Sequence, residues 1–273
     1  MTAIGIGLSA SFGRKRIAQL SDIPGLAWAL DTSSSSLLYQ DNPGTVLALL
    51  PGDRVKLANA ALGSGSFSTG VDNDRATRVA WDSRQDGLFW SDASDLLDAS
   101  AAILSSQNNV AGYTFACVVE MPPVLTTLRH ILRITSSAGG AKFVLYQETN
   151  GRIYLSTRRI AADTTAAGLG DPATALTGGQ RYVIIASVDY ATGAGVIEVN
   201  GATTGLGISG TYVWSNGTGA TCEAANPTIF TLSSVASPFT LGTIGDPCAF
   251  TRALTAAERS YARDILNSKF QVF

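Results

Sequence analysis

The chain has 273 residues, 45% hydrophobic and 15% charged, with a formal net charge of −2. That is enough apolar side chain for a large core in one or two domains, and too even a charge for a chain-wide nucleic-acid footprint. Twenty-eight glycines, with abundant Ser, Thr and Ala, favour strands and turns over a helical bundle.

Residues 1–20 read as an arm. Gly5, Gly7 and Gly13 interrupt any helix, and Arg14-Lys15-Arg16 stands in a stretch with no acid before Asp22. Three basic residues are too few for a nucleic-acid signal. The segment reads either as a floppy tail or as an attachment segment that orders on a partner. In the second case Ile4, Ile6, Leu8 and Phe12 are the apolar contacts, with Arg14, Lys15 and Arg16 beside them. The apolar start has no basic region ahead of it, so no signal peptide is expected. No run reaches the roughly 18 apolar residues of a membrane span.

Residues 21–110 are irregular. Short strands are expected at 26–30 and 45–50, and a strand pair at 78–81 and 87–90 around the turn 82–86. From Tyr113 the β pattern is clean: Tyr113, Phe115, Cys117, Val119 and Met121 alternate on one face. Strands at 131–134, 142–147 and 152–156 follow, the last two joined by Asn150-Gly151 as a two-residue hairpin signal. A second hairpin, 181–188 with 195–199, turns across Asp189 to Gly193, and Asn200-Gly201 turns the chain again. Residues 202–227 form a long Gly-, Thr- and Asn-rich excursion. Strands resume at 228–232 and 239–244. Thr255 and Glu258 then have capping-box spacing, and Ala257, Tyr261, Ile265 and Leu266 give the terminal helix an apolar face.

Chemistry-bearing patterns are sparse. Three cysteines without a CxxC spacing indicate neither a zinc site nor a disulfide framework. Cys117 reads as a core residue, and pairing of Cys222 with Cys248 stays open. The single histidine, His130, has no Gly-x-Ser-x-Gly elbow to serve and reads as structural or surface. Retaining glycoside hydrolysis needs two carboxyls about 5 Å apart. Glu120, Glu148, Glu198, Glu223 and Glu258 are all isolated, so no enzyme is expected. Asp72-Asn73-Asp74, like Asp92, Asp95 and Asp98, reads as turn and cap chemistry or as oxygen ligands, with Asp72 and Asp74 the candidates for calcium. Trp28, Trp81 and Trp90 lie in strand patterns and belong to a core. Trp214 sits among turn formers with Tyr212 and Asn216. Its ring either pins the loop or offers a flat face to a sugar.

Three segments carry a family resemblance. Phe239-Thr-Leu-Gly-Thr-Ile-Gly-Asp246, followed by Phe250-Thr-Arg-Ala-Leu-Thr-Ala-Ala-Glu258 and one helix, is the strongest. The hairpin across Asp189 to Gly193 is the second. The order of Pro24 to Asp31 and then Val79 to Leu88 is the loosest. Together these resemble the laminin-G-like, concanavalin A-like jelly-roll domains of tailed bacteriophages. The resemblance implies an all-β, two-sheet antiparallel jelly-roll sandwich over 21–273, with the C-terminal helix on an edge or rim and residues 1–20 as an extended arm. It further implies a non-enzymatic virion structural protein, a capsid decoration or tail appendage made in the bacterial cytoplasm. Such a protein is held to other virion proteins by its arm, is homo-oligomeric with the particle's symmetry, and displays a lectin-like domain to host surface glycans. A free or cell-surface carbohydrate-binding module is the alternative, and a glycan-degrading enzyme a more distant one.

Overall fold

The computed structural model describes residues 19–273 apart from 35, 42–43, 51, 70–75, 82–83, 92–95, 137–140, 161–162, 164–166, 171–174, 202–207, 212–218 and 235. Short strands fill the first third: β1 (Leu26–Ala29), β2 (Leu38–Tyr39), β3 (Arg54–Val55), β4 (Leu57–Asn59), β5 (Leu62–Gly63), β6 (Ser66–Ser68), β7 (Ala76–Trp81), β8 (Arg84–Phe89) and β9 (Leu97–Ala99). A single turn of helix, α1 (Ala101–Leu104), precedes the longer strands. These are β10 (Gly112–Glu120), β11 (Arg129–Thr135), β12 (Ala141–Gln147), β13 (Ile153–Thr157), β14 (Ala167–Gly170), β15 (Arg181–Asp189) and β16 (Ala194–Val199). After them come β17 (Ile208–Thr211), β18 (Ile229–Leu232), β19 (Thr243–Phe250) and the closing helix α2 (Ala256–Phe270).

The strands form two antiparallel sheets. The first runs β17-β16-β15-β10-β19-β8-β7-β3, with β1 bridging β19 and β5; the second runs β14-β13-β12-β11-β18-β9-β6-β4-β2. The all-β sandwich expected from the sequence is therefore the fold. Aromatic rings close the space between the sheets. Trp28 of the first, beside Phe115, meets Phe67 and Phe230 of the second, with Trp28 and Phe67 edge-to-face at 5.0 Å and Tyr113 against Phe143 at 5.2 Å. Trp28 and Trp90 are core residues, as their strand patterns implied. Cys117, Cys222 and Cys248 are buried free thiols.

Helix α2 does not sit on an edge or rim. It lies on the outer face of the first sheet, where Ala262, Ile265, Leu266 and Phe270 pack on Ala116, Val118, Val183, Ile185, Cys248 and Phe250. Strand β10 thus buries both faces, one in each apolar layer. The helix starts as its spacing predicts: the Glu258 N–H donates to Thr255 Oγ1 at 3.4 Å, and Thr255 N–H to Glu258 Oε2 at 2.9 Å. Ile265 and Leu266 are buried as expected, and the rest of its stripe differs. Ala257 and Tyr261 face solvent, and Ala262 and Lys269 take the inner positions. Leu20, at the end of the expected arm, is buried beneath the same helix.

Lys269 explains that difference. Its ammonium donates to Asp31 Oδ1 at 3.0 Å and also bonds Asp246 Oδ2, inside the molecule. Asp246 has φ of 41° at an irregularity where β19 carries one more residue than β10, so its carboxylate turns inward. It accepts the Thr32 N–H and hydroxyl, each at 2.9 Å. Burial, with Asp31 adding repulsion against the pull of Lys269, pushes the Asp246 carboxyl up to about 6. At Asp31 burial acts upward too, but Lys269 and the Ser33 hydrogen bonds outweigh it and hold the carboxyl low. The triad ties together the first strand, the last strand and the helix.

Local departures from the sequence reading have local causes. Residues 45–50 are not a strand beyond one bridge from Leu47 to Tyr39, because the Asp41 carboxylate takes the Thr45 and Val46 N–H groups at 2.8 and 2.7 Å and turns the chain. Asn150-Gly151 is not a two-residue turn. Gln147 pairs with Ile153, and Glu148 N–H donates to Arg152 O, which leaves Thr149, Asn150 and Gly151 as a three-residue loop. Asn200-Gly201 does turn as expected, both residues lying at positive φ. A Cβ at Gly201 would fall 2.1 Å from Arg263 Nη1 of α2, so that flexible side chain would have to swing aside. The excursion after it is not wholly irregular, because β17 returns to pair with β16.

Candidate functional site

The second sheet keeps no helix on its outer face among the described residues, and side chains of a different kind stand there. Strand β13 shows why: its burial alternates strictly, with Ile153, Leu155 and Thr157 inward and Tyr154 and Ser156 outward. Register sets the rest. Tyr154 pairs with Tyr146 of β12, and Tyr146 with His130 of β11. The three rings form a cross-strand ladder, with Tyr146 and Tyr154 stacked at 5.7 Å and 20° and His130 edge-on to Tyr146 at 6.0 Å. Such cross-strand pairs are neighbours by sheet geometry alone. On the far side of Tyr154 the register places Gly170, and beside Ser156 it places Gly168, so β14 flanks the ladder without side chains.

Arg133 joins this face through an irregularity. His130 and Arg133 are three residues apart, and in a regular strand they would point to opposite sides. Between His130 and Leu132 the β11–β12 register shifts, Ile131 being the extra residue, and both Ile131 and Leu132 go into the core. His130 and Arg133 then stand on one face. Arg152, two residues before Tyr154, shares it by alternation.

All of these side chains are half-buried. Burial, helped by the Arg133 charge, pushes the His130 imidazole down to about 4, so it is neutral at physiological pH. Burial raises the Tyr146 hydroxyl, and Glu148 and Tyr154 add to that. Among the described residues Arg133 makes one hydrogen bond, to Ser234 Oγ at 3.1 Å. Among the described residues neither Arg133 nor Arg152 forms an ion pair, and Arg152 Nε and His130 Nδ1 are buried without a hydrogen-bond partner. The face combines flat apolar rings with hydrogen-bonding groups that the protein leaves unused. That combination suits a polar ligand with an apolar side.

The residues expected from sequence to hold ligands lie elsewhere. Tyr212, Trp214 and Asn216, the calcium candidates Asp72 and Asp74, and the attachment residues Ile4, Ile6, Leu8, Phe12, Arg14, Lys15 and Arg16 all fall outside the described residues. Asp92 and Asp95 do too, whereas Asp98 is exposed on β9. Among the described residues no three His, Cys, Asp or Glu side chains gather to hold a metal. The carboxylates that do come together, Asp31 and Asp246, are sealed around Lys269 at 4% and 0% side-chain exposure. Reading His130 as a bland surface or structural residue missed its place in the ladder. The sequence carries a weak signal for it, an aromatic at the outward position of three successive strands.

The chain matches no protein-family model and no curated protein sequence. Solved structures of similar shape include a Trypanosoma rangeli sialidase in complex with 2-keto-3-deoxy-D-glycero-D-galacto-2,3-difluoro-nononic acid. It has a TM-score of 0.58 and 11% identity, over 95% of this chain and 38% of the sialidase. The binding domain of botulinum neurotoxin serotype G gives 0.57 and 12%, over 88% of this chain and 51% of that one. The receptor binding domain of botulinum neurotoxin mosaic serotype C/D gives 0.52 and 11%, over 88% and 50%. The chain thus spans well under half of the sialidase and about half of the toxin domains. At such identities the likeness is one of fold, an all-β sandwich. It also corrects the expectation that no enzyme is involved. The sandwich is one that solved sialidases contain, so its shape is no argument against an enzyme.

Proposed function

We propose that this chain is a glycan-binding β-sandwich domain that uses the outer face of its second sheet, and that it is displayed on the virion of a tailed bacteriophage. The observation that carries the glycan reading is the stacked pair Tyr146–Tyr154 with His130 beside it. Flat rings match the C–H faces of a pyranose, while ring nitrogens, hydroxyls and guanidinium groups answer its hydroxyls. Three adjacent strands set the ladder's span at about 10 Å, which suits a short oligosaccharide rather than a single atom-sized ligand. The sialidase and toxin-domain likenesses support the fold of this reading. The virion setting is supported by the resemblance of the last strand and capped helix to phage domains, with residues 1–20 as the attachment segment and a homo-oligomer as the displayed form.

The test is binding of the full chain to a glycan array and to a panel of bacterial surface polysaccharides, alongside the double variant Tyr146→Ala with Tyr154→Ala. Loss of about tenfold or more in affinity, at unchanged circular dichroism, is expected, since aromatic stacking contributes on the order of 0.5–1.5 kcal/mol per ring beyond burial. Unaltered binding by the double variant, together with loss in Trp214→Ala, would move the site to the loop 210–217. Deleting residues 1–18, which spares the buried Leu20, should leave glycan binding intact and abolish incorporation into particles. The glycosidase direction is read in the same samples as reducing ends released from any polysaccharide that binds.

A further inference from the structure

We infer that the sugar recognised by this face carries a carboxylate, and that Arg133, assisted by Arg152, is the group that selects it. The inference rests on the glycan-binding reading and narrows it to a ligand class.

Arg133 is a half-buried guanidinium whose one hydrogen bond among the described residues goes to a neutral hydroxyl, Ser234 Oγ at 3.1 Å. A guanidinium has five N–H donors in a planar fork, so most of its capacity is unspent. Five other described arginines are spent. Arg181, Arg252, Arg259 and Arg263 pair with Glu120, Glu258, Glu198 and Asp264, and Arg129 donates to the carbonyl oxygens of Val124 and Thr127. No carboxylate pairs with Arg133 among the described residues, and its charge adds to the burial that lowers the His130 imidazole. A partly desolvated cation without a counter-ion is unfavourable on its own. A carboxylate received by the fork restores the balance through two parallel charge-assisted hydrogen bonds.

Position adds to charge. The β-irregularity at Ile131 brings Arg133 to the same side as His130, and hence to the ladder. Arg152 stands next to Tyr154 at the ladder's other end, its Nε buried and unpartnered. Glu148, whose charge raises the Tyr146 hydroxyl, and Asp98, beyond Thr231, are the carboxylates placed on this sheet near the ladder. Neither lies within ion-pair distance of Arg133 or Arg152, so they border the site without filling either guanidinium. A sugar ring on Tyr146 and Tyr154 would therefore have a guanidinium at each side, where a carboxylate on the ring could be received. Arginine is the fitting residue here, since its fork matches a planar carboxylate in a way that a lysine point charge does not.

The experiment uses the full chain and three acidic polysaccharides, polygalacturonate, hyaluronan and polysialic acid, each beside its methyl ester. The ester keeps the sugar ring and removes the charge. Expected is at least one acid bound about tenfold or more tightly than its ester, because a hydrogen bond to a charged group is worth roughly 1.5–3 kcal/mol. The preference should weaken as NaCl is raised. Arg133→Gln should bring the acid down to the ester's affinity while leaving the ester unchanged, and Arg133→Lys should keep part of the preference. Equal binding of acid and ester overturns the inference. So does a preference that survives Arg133→Gln combined with Arg152→Gln, or equal loss of acid and ester in Arg133→Gln with thermal unfolding unchanged. If neutral glycans bind and are lost in the double tyrosine variant, the glycan reading stands and the carboxylate inference falls. If that variant binds as the wild type does, or the wild type binds nothing, the underlying reading falls as well.

Discussion

The outer faces of the two sheets have been put to opposite uses. On the first, Ala116, Val118, Val183, Ile185, Cys248 and Phe250 make a small-and-apolar surface that helix α2 covers. On the second, His130, Arg133, Tyr146, Tyr154 and Ser156 stand half-buried, aromatic and cationic. The contrast follows from alternation. Strand β10 is buried on both sides from Gly112 to Val119, with Thr114 the one polar side chain among them, which a three-layer arrangement satisfies, whereas β13 is buried on one side only. A face that must be covered is structural. The face that holds aromatic rings without covering them is the one on which we place the glycan.

The largest effect that could break this comparison lies under the helix. Lys269→Met should cost about 3–5 kcal/mol in urea unfolding, because Asp31 and Asp246 would be left as buried, unpaired carboxylates. A loss below about 1 kcal/mol would mean that the triad is not what fastens α2. Next comes a paired substitution. Leu266→Ala on the covered face should cost about 2–5 kcal/mol, while Tyr154→Ala on the other face should stay within about 1 kcal/mol and show its effect in glycan binding. Similar stability losses from both would erase the distinction drawn between the faces.

The smallest effect concerns the helix start. Glu258 is held down to about 2, first by its hydrogen bond from Arg252 and then by the Thr255 groups. A carboxylate with a depressed folded value contributes stability above its ordinary range and loses it as pH falls through the folded value. Glu258→Gln should therefore cost up to about 1 kcal/mol near pH 7. The gap to the wild type should close as the pH drops from about 4.5 toward 2. A gap that stays constant over that range would assign the cap to hydrogen bonding alone.

Much of the framework is legible in the chain. The alternation from Tyr113 to Met121, the hairpin over Asp189 to Gly193, the Asn200-Gly201 turn and the Thr255–Glu258 cap all rest on contacts within a few residues, where spacing is informative. The candidate site is not of that kind. His130, Tyr146 and Tyr154 meet because three strands pair in one register, and Arg133 joins them because Ile131 is an extra residue in β11. A register shift of one residue turns a side chain to the other face, and nothing local to Arg133 announces it. Lys269 was equally hidden. A lysine in a terminal helix reads as solvated until Asp31 and Asp246, far away in the chain, are brought beneath it.

By itself, then, the order of residues determined the class of fold, the places of most long strands, the helix start and the tight turns. Each depends on periodicity or on a hydrogen bond between near neighbours. The tertiary structure decided which face of which sheet the helix covers, which carboxylates its lysine reaches, and which aromatic and basic side chains share the remaining face. Those outcomes depend on strand order, register and bulges, where residues far apart in the chain must be brought side by side before their chemistry can combine.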